Sequence, residues 1–255
     1  KNAFAGCVAL ANLNVDAIYD IGESAFSGCT GLTELGSPDR DFNFGVIGVK
    51  AFENCSNITT IYTSSISSIG ADAFIGCTSL EEVYFDEIFD EWLSITMESS
   101  FFISSTKTER TLWIADSIIV GDTHATETSF KKITEFTMNG GAVIKDYVFY
   151  GITHLEKVTI NTSTGTASQI QLGQHVFENN PNLTNVEYDW LLSERYTYVS
   201  NLDNNESLAN ANWTYIGKYV IGDHCPTTSL RSKYLGFRYG CTHHHSNQCS
   251  SLRAI

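Results

Sequence analysis

A five-residue step, Ala-Phe-x-Gly-Cys, returns along this chain, and that self-similarity constrains the fold more than any other feature. It stands as Ala3-Phe4-Ala5-Gly6-Cys7, Ala25-Phe26-Ser27-Gly28-Cys29, Ala51-Phe52-Glu53-Asn54-Cys55 and Ala73-Phe74-Ile75-Gly76-Cys77. Degenerate copies follow at Val148-Phe149-Tyr150-Gly151-Ile152 and Val176-Phe177-Glu178-Asn179-Asn180. Three residues after each Cys position an aliphatic residue opens an L-x-x-V-x-I pattern, at Leu10, Leu32, Ile58, Leu80, Leu155 and Leu183. An Ile-Gly step precedes several Ala-Phe pairs, at Ile21-Gly22, Ile47-Gly48 and Ile69-Gly70. Strand-like segments at Leu112-Trp113-Ile114 and from Ile133 to Met138 complete eight starts, spaced 22, 26, 22, 32, 21, 22 and 28 residues.

A period near 22 with slack for insertions lies in the leucine-rich-repeat range. Alternation in L-x-x-V-x-I turns the aliphatic side chains inward and the third and fifth positions outward. One coil cannot bury its apolar face alone, so coils stack and share a core. The expected fold is a β-rich solenoid, a right-handed leucine-rich-repeat superhelix of parallel strands with about eight irregular coils. Residues 1–190 form it, with an insertion at about 86–111, and residues 191–255 form a non-repeat C-terminal capping or assembly segment. The glycine after each Ile is expected to supply a turn conformation that a Cβ resists. Cys7, Cys29, Cys55 and Cys77 share one register as small buried apolar residues. Because Ile152 and Asn180 replace Cys later, packing or turn capping explains the position better than chemistry, and free thiols are expected.

The formal charge of −14 excludes nucleic acid and anionic membrane surfaces as natural partners, since both reward a basic face. From Trp213 onward Lys218, Arg231, Lys233, Arg238 and Arg253 outnumber Asp223, a basic end on an acidic body. No apolar run reaches the roughly 18 residues of a membrane span, so membrane insertion is not expected. The chain opens at Lys1, without Met and already inside a repeat, as a processed chain or a fragment does.

These motifs resemble the BspA-type leucine-rich repeats of bacterial and protist surface proteins. Leu80-Glu81-Glu82-Val83-Tyr84-Phe85, followed by Asp90-Glu91-Trp92-Leu93-Ser94-Ile95, resembles an insertion common between such repeats. Leu112-Trp113-Ile114 falls where that family often has a short strand. The resemblance covers roughly residues 1–190 and implies a secreted or surface-displayed protein engaged in adhesion, protein binding or coaggregation.

The outward positions form a ladder. Position three includes Glu34, Thr60, Glu82, Glu135 and Lys157, and position five includes Tyr62 and Tyr84. Tyr62 and Tyr84 are expected side by side with Glu82 next to them, an anchor pair for a protein or glycan. Any one such pair can equally well serve only to stabilise the sheet. The acidic stretch Glu81, Glu82, Asp86, Glu87, Asp90 and Glu91 lacks calcium-loop spacing and reads as a solvated edge. Cys225, Cys241 and Cys249 with His243 have the donors of a tetrahedral zinc site but not paired C-x-x-C spacing. A disulfide among Cys225, Cys241 and Cys249 is favoured, and neither metal nor cofactor is expected. N-x-[S/T] sequons mark Asn57, Asn161, Asn182, Asn205 and Asn212 as glycosylation candidates, with Asn54 a poorer one inside a repeat turn.

No nucleophile or acid–base pair has a motif around it, so a non-enzyme is expected. The leading expectation is an extracellular or cell-surface protein that binds a protein or glycan on another cell or matrix through its strand face. The alternative is a filament subunit assembled by head-to-tail stacking of solenoid ends, since uncapped coils stack.

Overall fold

In the computed structural model, residues 1–13, 19–37, 42–43, 45–115, 129–139, 141–161, 169–189, 198–199 and 204–216 are described. In chain order the first half runs β1 (Asp20–Ile21), β2 (Glu34–Leu35), β3 (Phe42–Asn43), β4 (Val46–Ile47), β5 (Thr60–Ser64), β6 (Ser68–Ile69) and β7 (Glu82–Phe85). The insertion supplies α1 (Phe89–Ser94), β8 (Thr96–Met97) and β9 (Thr111–Ala115), and β10 (Phe130–Lys132) follows. The second half runs β11 (Glu135–Asn139), β12 (Val143–Ile144), β13 (Lys157–Asn161), β14 (Gln169–Leu172), β15 (Asn185–Asp189), β16 (Tyr198–Val199), α2 (Glu206–Asn210) and β17 (Asn212–Ile216).

The result is a parallel-stranded solenoid whose coils each contribute to three columns. One is the main ladder, β2-β5-β7-β9 and then β11-β13-β15-β17. A second is a narrow sheet at the Ile-Gly steps, β1-β4-β6-β8 and then β12-β14-β16, with Ile21, Ile47, Ile69, Met97, Ile144 and Leu172 buried along it. The third is a column of turns at the Ala-Phe-x-Gly-Cys steps. The strand alternation holds: Leu80, Val83 and Phe85 are buried, and Glu82 and Tyr84 lie outward at intermediate exposure.

The turn column carries the aromatic core. Phe4, Phe26, Phe52 and Phe74 stack at centroid spacings of 5.2, 5.4 and 5.4 Å with rings within 9° of parallel. The same stack reappears at Phe149 and Phe177, 5.4 Å apart. Each coil passes backbone N–H bonds to the next: Phe26 N to Ala51 O at 2.8 Å, Gly28 N to Glu53 O at 2.7 Å, Phe52 N to Ala73 O at 2.9 Å. Thiols return the bond. The Sγ of Cys29, Cys55 and Cys77 donates to the carbonyls of Phe4, Phe26 and Phe52, at 3.0, 3.0 and 3.2 Å.

Three expectations are revised. Positive φ falls on the glycines inside the motif, Gly6, Gly28, Gly76 and Gly151, with Asn54 and Asn179 in the same left-handed turn, and not on the glycines after Ile. The glycine after Ile serves close approach instead. A Cβ on Gly48 would meet the Ile21 carbonyl at 2.7 Å, and one on Gly70 the Val49 nitrogen at 2.7 Å. Second, Leu112 pairs with Val83 and therefore fills position four of its coil, not position one. Glu109 therefore stands at position one in place of a leucine, which removes the motif's first signal there and lengthens the apparent spacing. Third, the main ladder continues past residue 190, because β17 pairs in parallel with β15 along its whole length. At the other end Leu10 and Leu13 pack against the core, and residues 10–13 form no strand.

Candidate binding face

Register fixes what stands beside what on the ladder. Glu34, Thr60, Glu82 and Thr111 are successive Cα partners along row three. Tyr62, Tyr84 and Trp113 are successive partners along row five. Their rings stack, Tyr62 on Tyr84 at 4.6 Å and 13°, Tyr84 on Trp113 at 5.6 Å and 3°. Antiparallel β10 then closes the row. It sets Lys132 opposite Trp113, with the ammonium 5.3 Å from the ring centroid, and brings Phe130 edge-on to Tyr84 at 5.1 Å. A cation over an indole face and an edge-to-face phenyl ring are both attractive geometries for the ring quadrupole.

This is a half-exposed apolar strip of four rings edged by carboxylates. Tyr84 Oη donates to Glu82 Oε2 at 3.2 Å. Burial first, then the charges of Glu34 and Glu82, push the Tyr62 phenol up, and burial with Glu82 does the same at Tyr84. Both phenols therefore remain neutral hydrogen-bond donors at physiological pH.

The face is not continuous. β9 pairs with β10 rather than β11, so Lys157 lies on a separate panel from Glu34, Thr60, Tyr62, Glu82 and Tyr84. That second panel is polar. Its rows read Glu135-Lys157-Asn185 and Thr137-Thr159-Glu187, with Lys157 Nζ 2.6 Å from Glu187 Oε2. Trp113, Phe130 and Lys132 were not among the expected face residues. Alternation within Thr111-Leu112-Trp113-Ile114-Ala115 is the available signal for Trp113, masked because Leu112 resembles position one while it fills position four. Nothing in the sequence signals that β10 runs antiparallel.

The sequons divide by exposure. Asn54, Asn57, Asn182 and Asn212 are exposed, although Asn57 Nδ2 donates to Thr30 O at 2.8 Å and Asn182 Nδ2 to Thr153 O at 2.7 Å. Asn161 is half-buried within β13. Asn205 is corrected outright as an acceptor. It is 0% exposed; its Oδ1 accepts from Phe177 N at 2.8 Å and its Nδ2 donates to Gly173 O at 3.1 Å. Asn205 Oδ1 thus takes the place that the Ala51 carbonyl holds for Phe26 N, and Ser207 Oγ beside it accepts from Asn180 N at 3.0 Å.

Cys225, Cys241, His243 and Cys249 lie outside the described residues. Cys29, Cys55 and Cys77 are buried free thiols and Cys7 an exposed one. In the acidic stretch Glu81 pairs with Lys107 at 2.6 Å. Among the described residues no three His, Cys, Asp or Glu side chains converge as a metal site, and no helix is long and apolar enough to cross a membrane.

Stacked coils, a parallel ladder on one side and a phenylalanine column in the turns define a leucine-rich-repeat protein. The chain belongs to the BspA type leucine-rich repeat family, which matches it in six copies over residues 1–119 and 123–233. Proteins of this family are typically surface-displayed or secreted and non-catalytic, and leucine-rich repeats generally mediate protein interactions. Among solved structures the chain is similar to a leucine-rich repeat protein from Bacteroides ovatus, at 16% identity and a TM-score of 0.25. That match covers 84% of this chain and 62% of the other. A search of curated proteins gives no significant match.

Proposed function

We propose that this protein is an extracellular or cell-surface adhesion module that binds a protein or glycan partner through the first panel of its strand face. The observation that carries the reading is the row Tyr62-Tyr84-Trp113, ended by Lys132 and flanked by Phe130, Glu34 and Glu82. Rigid aromatic side chains contribute large contact area with few rotors to immobilise, which makes them efficient anchors. The carboxylate row beside them supplies directional acceptors.

The filament reading has less support. Stacking on the turn column needs free N–H groups at its trailing edge, and among the described residues Phe177 N already donates to Asn205 Oδ1 and Asn180 N to Ser207 Oγ. The binding reading is therefore the one carried forward.

The test is binding of the labelled chain to arrays of extracellular-matrix proteins and of glycans, compared with a Tyr62→Ser/Trp113→Ser variant. Loss of the strongest signals in the variant, with its denaturation midpoint still cooperative, supports the face. Undiminished binding by the folded variant overturns it.

A further inference from the structure

Every step of a regular solenoid is held by main-chain bonds in its columns. At the step from residues 100–105 to residues 147–152, none of the three columns carries on among the described residues. The narrow sheet ends at β8 and restarts at β12; the main ladder ends by turning antiparallel at β10 and restarts at β11. In the turn column, the carbonyls of Val148 and Tyr150 hold the positions at which Ala51 and Glu53 accept backbone N–H groups. Here they accept side chains instead: Trp92 Nε1 at 3.1 Å and Ser100 Oγ at 3.3 Å.

More side chains complete the clasp. Arg110 Nε donates to Gly151 O at 2.5 Å and its Nη2 to Asn179 O at 3.2 Å, while Lys145 Nζ reaches back to Ser94 O and Thr96 Oγ1. Among the described residues, main-chain bonds cross this level from Thr153 N to Arg110 O at 2.9 Å and from Ile133 N to Leu112 O at 3.0 Å. Packing is incomplete here too. A groove of about 560 Å³ lies between α1 and β11, walled by Phe89, Leu93, Ile114, Phe136 and Ile144.

We propose that this seam is a joint: the block carrying β1–β10 and the block carrying β11–β17 open against each other at the clasp while each keeps its own ladder. In stacked-coil proteins stability is a sum of coil and nearest-neighbour terms, so the step with the fewest ladder bonds opens first. Opening changes the angle between the aromatic and polar panels and widens the groove beside α1.

Amide hydrogen exchange of the full chain, read by mass spectrometry, tests this with Trp92→Phe, which keeps the ring packing and removes the indole N–H. Segments 88–97 and 143–153 should exchange about three- to tenfold faster, as expected for one lost hydrogen bond in a local opening. Segments 51–63 and 157–161 should be unchanged. Ser100→Ala should act in the same direction and keeps the test decisive where the Trp92 variant folds poorly. Even acceleration of all segments, or none anywhere in either variant, overturns the joint.

Discussion

The Asn180 side chain donates to the Phe149 carbonyl at 2.7 Å, the same carbonyl position that the Cys77 thiol reaches one coil back on Phe52 at 3.2 Å. A residue that looked like a lost cysteine therefore performs the cysteine's task, and adds a second bond to Ile152 O at 2.9 Å. Asn180→Ala strands both buried carbonyls and should cost about 2 kcal/mol. Asn180→Cys restores one donor and should recover part of that loss. Denaturant midpoints of the two variants check the order; an equal loss in both would detach this register from hydrogen bonding.

Alkaline pH should weaken the fold from the same column. Burial raises the Cys55 thiol from 9.0 to about 12 and moves Cys77 the same way. The folded chain thus holds these protons more tightly than the unfolded chain does. That stabilisation is complete below pH 9.0, the ordinary thiol value, and disappears as pH climbs through about 12. Thermal melts should be flat near neutrality and fall steadily above about pH 9, less steeply in Cys55→Ala measured against its own neutral value. Identical alkaline slopes in the variant and the parent would contradict the assignment.

Arg110 is 7% exposed, and its guanidinium donates to the carbonyls of Gly151, Asn179 and Lys107, the last at 2.7 Å. A lysine cannot span that set, because its one ammonium lacks the guanidinium's fork of donors. Arg110→Lys should therefore destabilise by about 2–4 kcal/mol despite conserving charge. Urea denaturation measures it, and a loss within about 0.5 kcal/mol, as at ordinary surface positions, would contradict this role.

On the strand face, Tyr84 touches Tyr62, Trp113 and Phe130, whereas among the described rings Tyr62 touches Tyr84. Tyr84→Ala should cost roughly 1 kcal/mol more stability than Tyr62→Ala, from its additional ring pairs. Equal costs by chemical denaturation would show that the rings are not energetically coupled.

The fold was legible because repetition multiplies a faint signal. Phe26, Phe52 and Phe74 occupy one level of the core, and each motif copy identifies the others. Tyr62 beside Tyr84 followed from register alone. Illegible were the features that occur once. β10 reverses direction, Glu109 stands at a coil start in place of an aliphatic residue, and Asn205 turns from a surface sequon into an internal cap. Each depends on a tertiary contact from a distant coil, which no period in the sequence encodes. The break in the ladder had the same cause, and it is what removes Lys157 from the tyrosine panel.

Hydroxyl-radical footprinting of the complex with the strongest array partner tests the binding face most directly. The account predicts protection of Tyr62, Tyr84, Trp113 and Phe130, with Tyr147 and His175 on the turn side unchanged. Protection confined to the turn side, with the four rings as reactive as in the free chain, would contradict it.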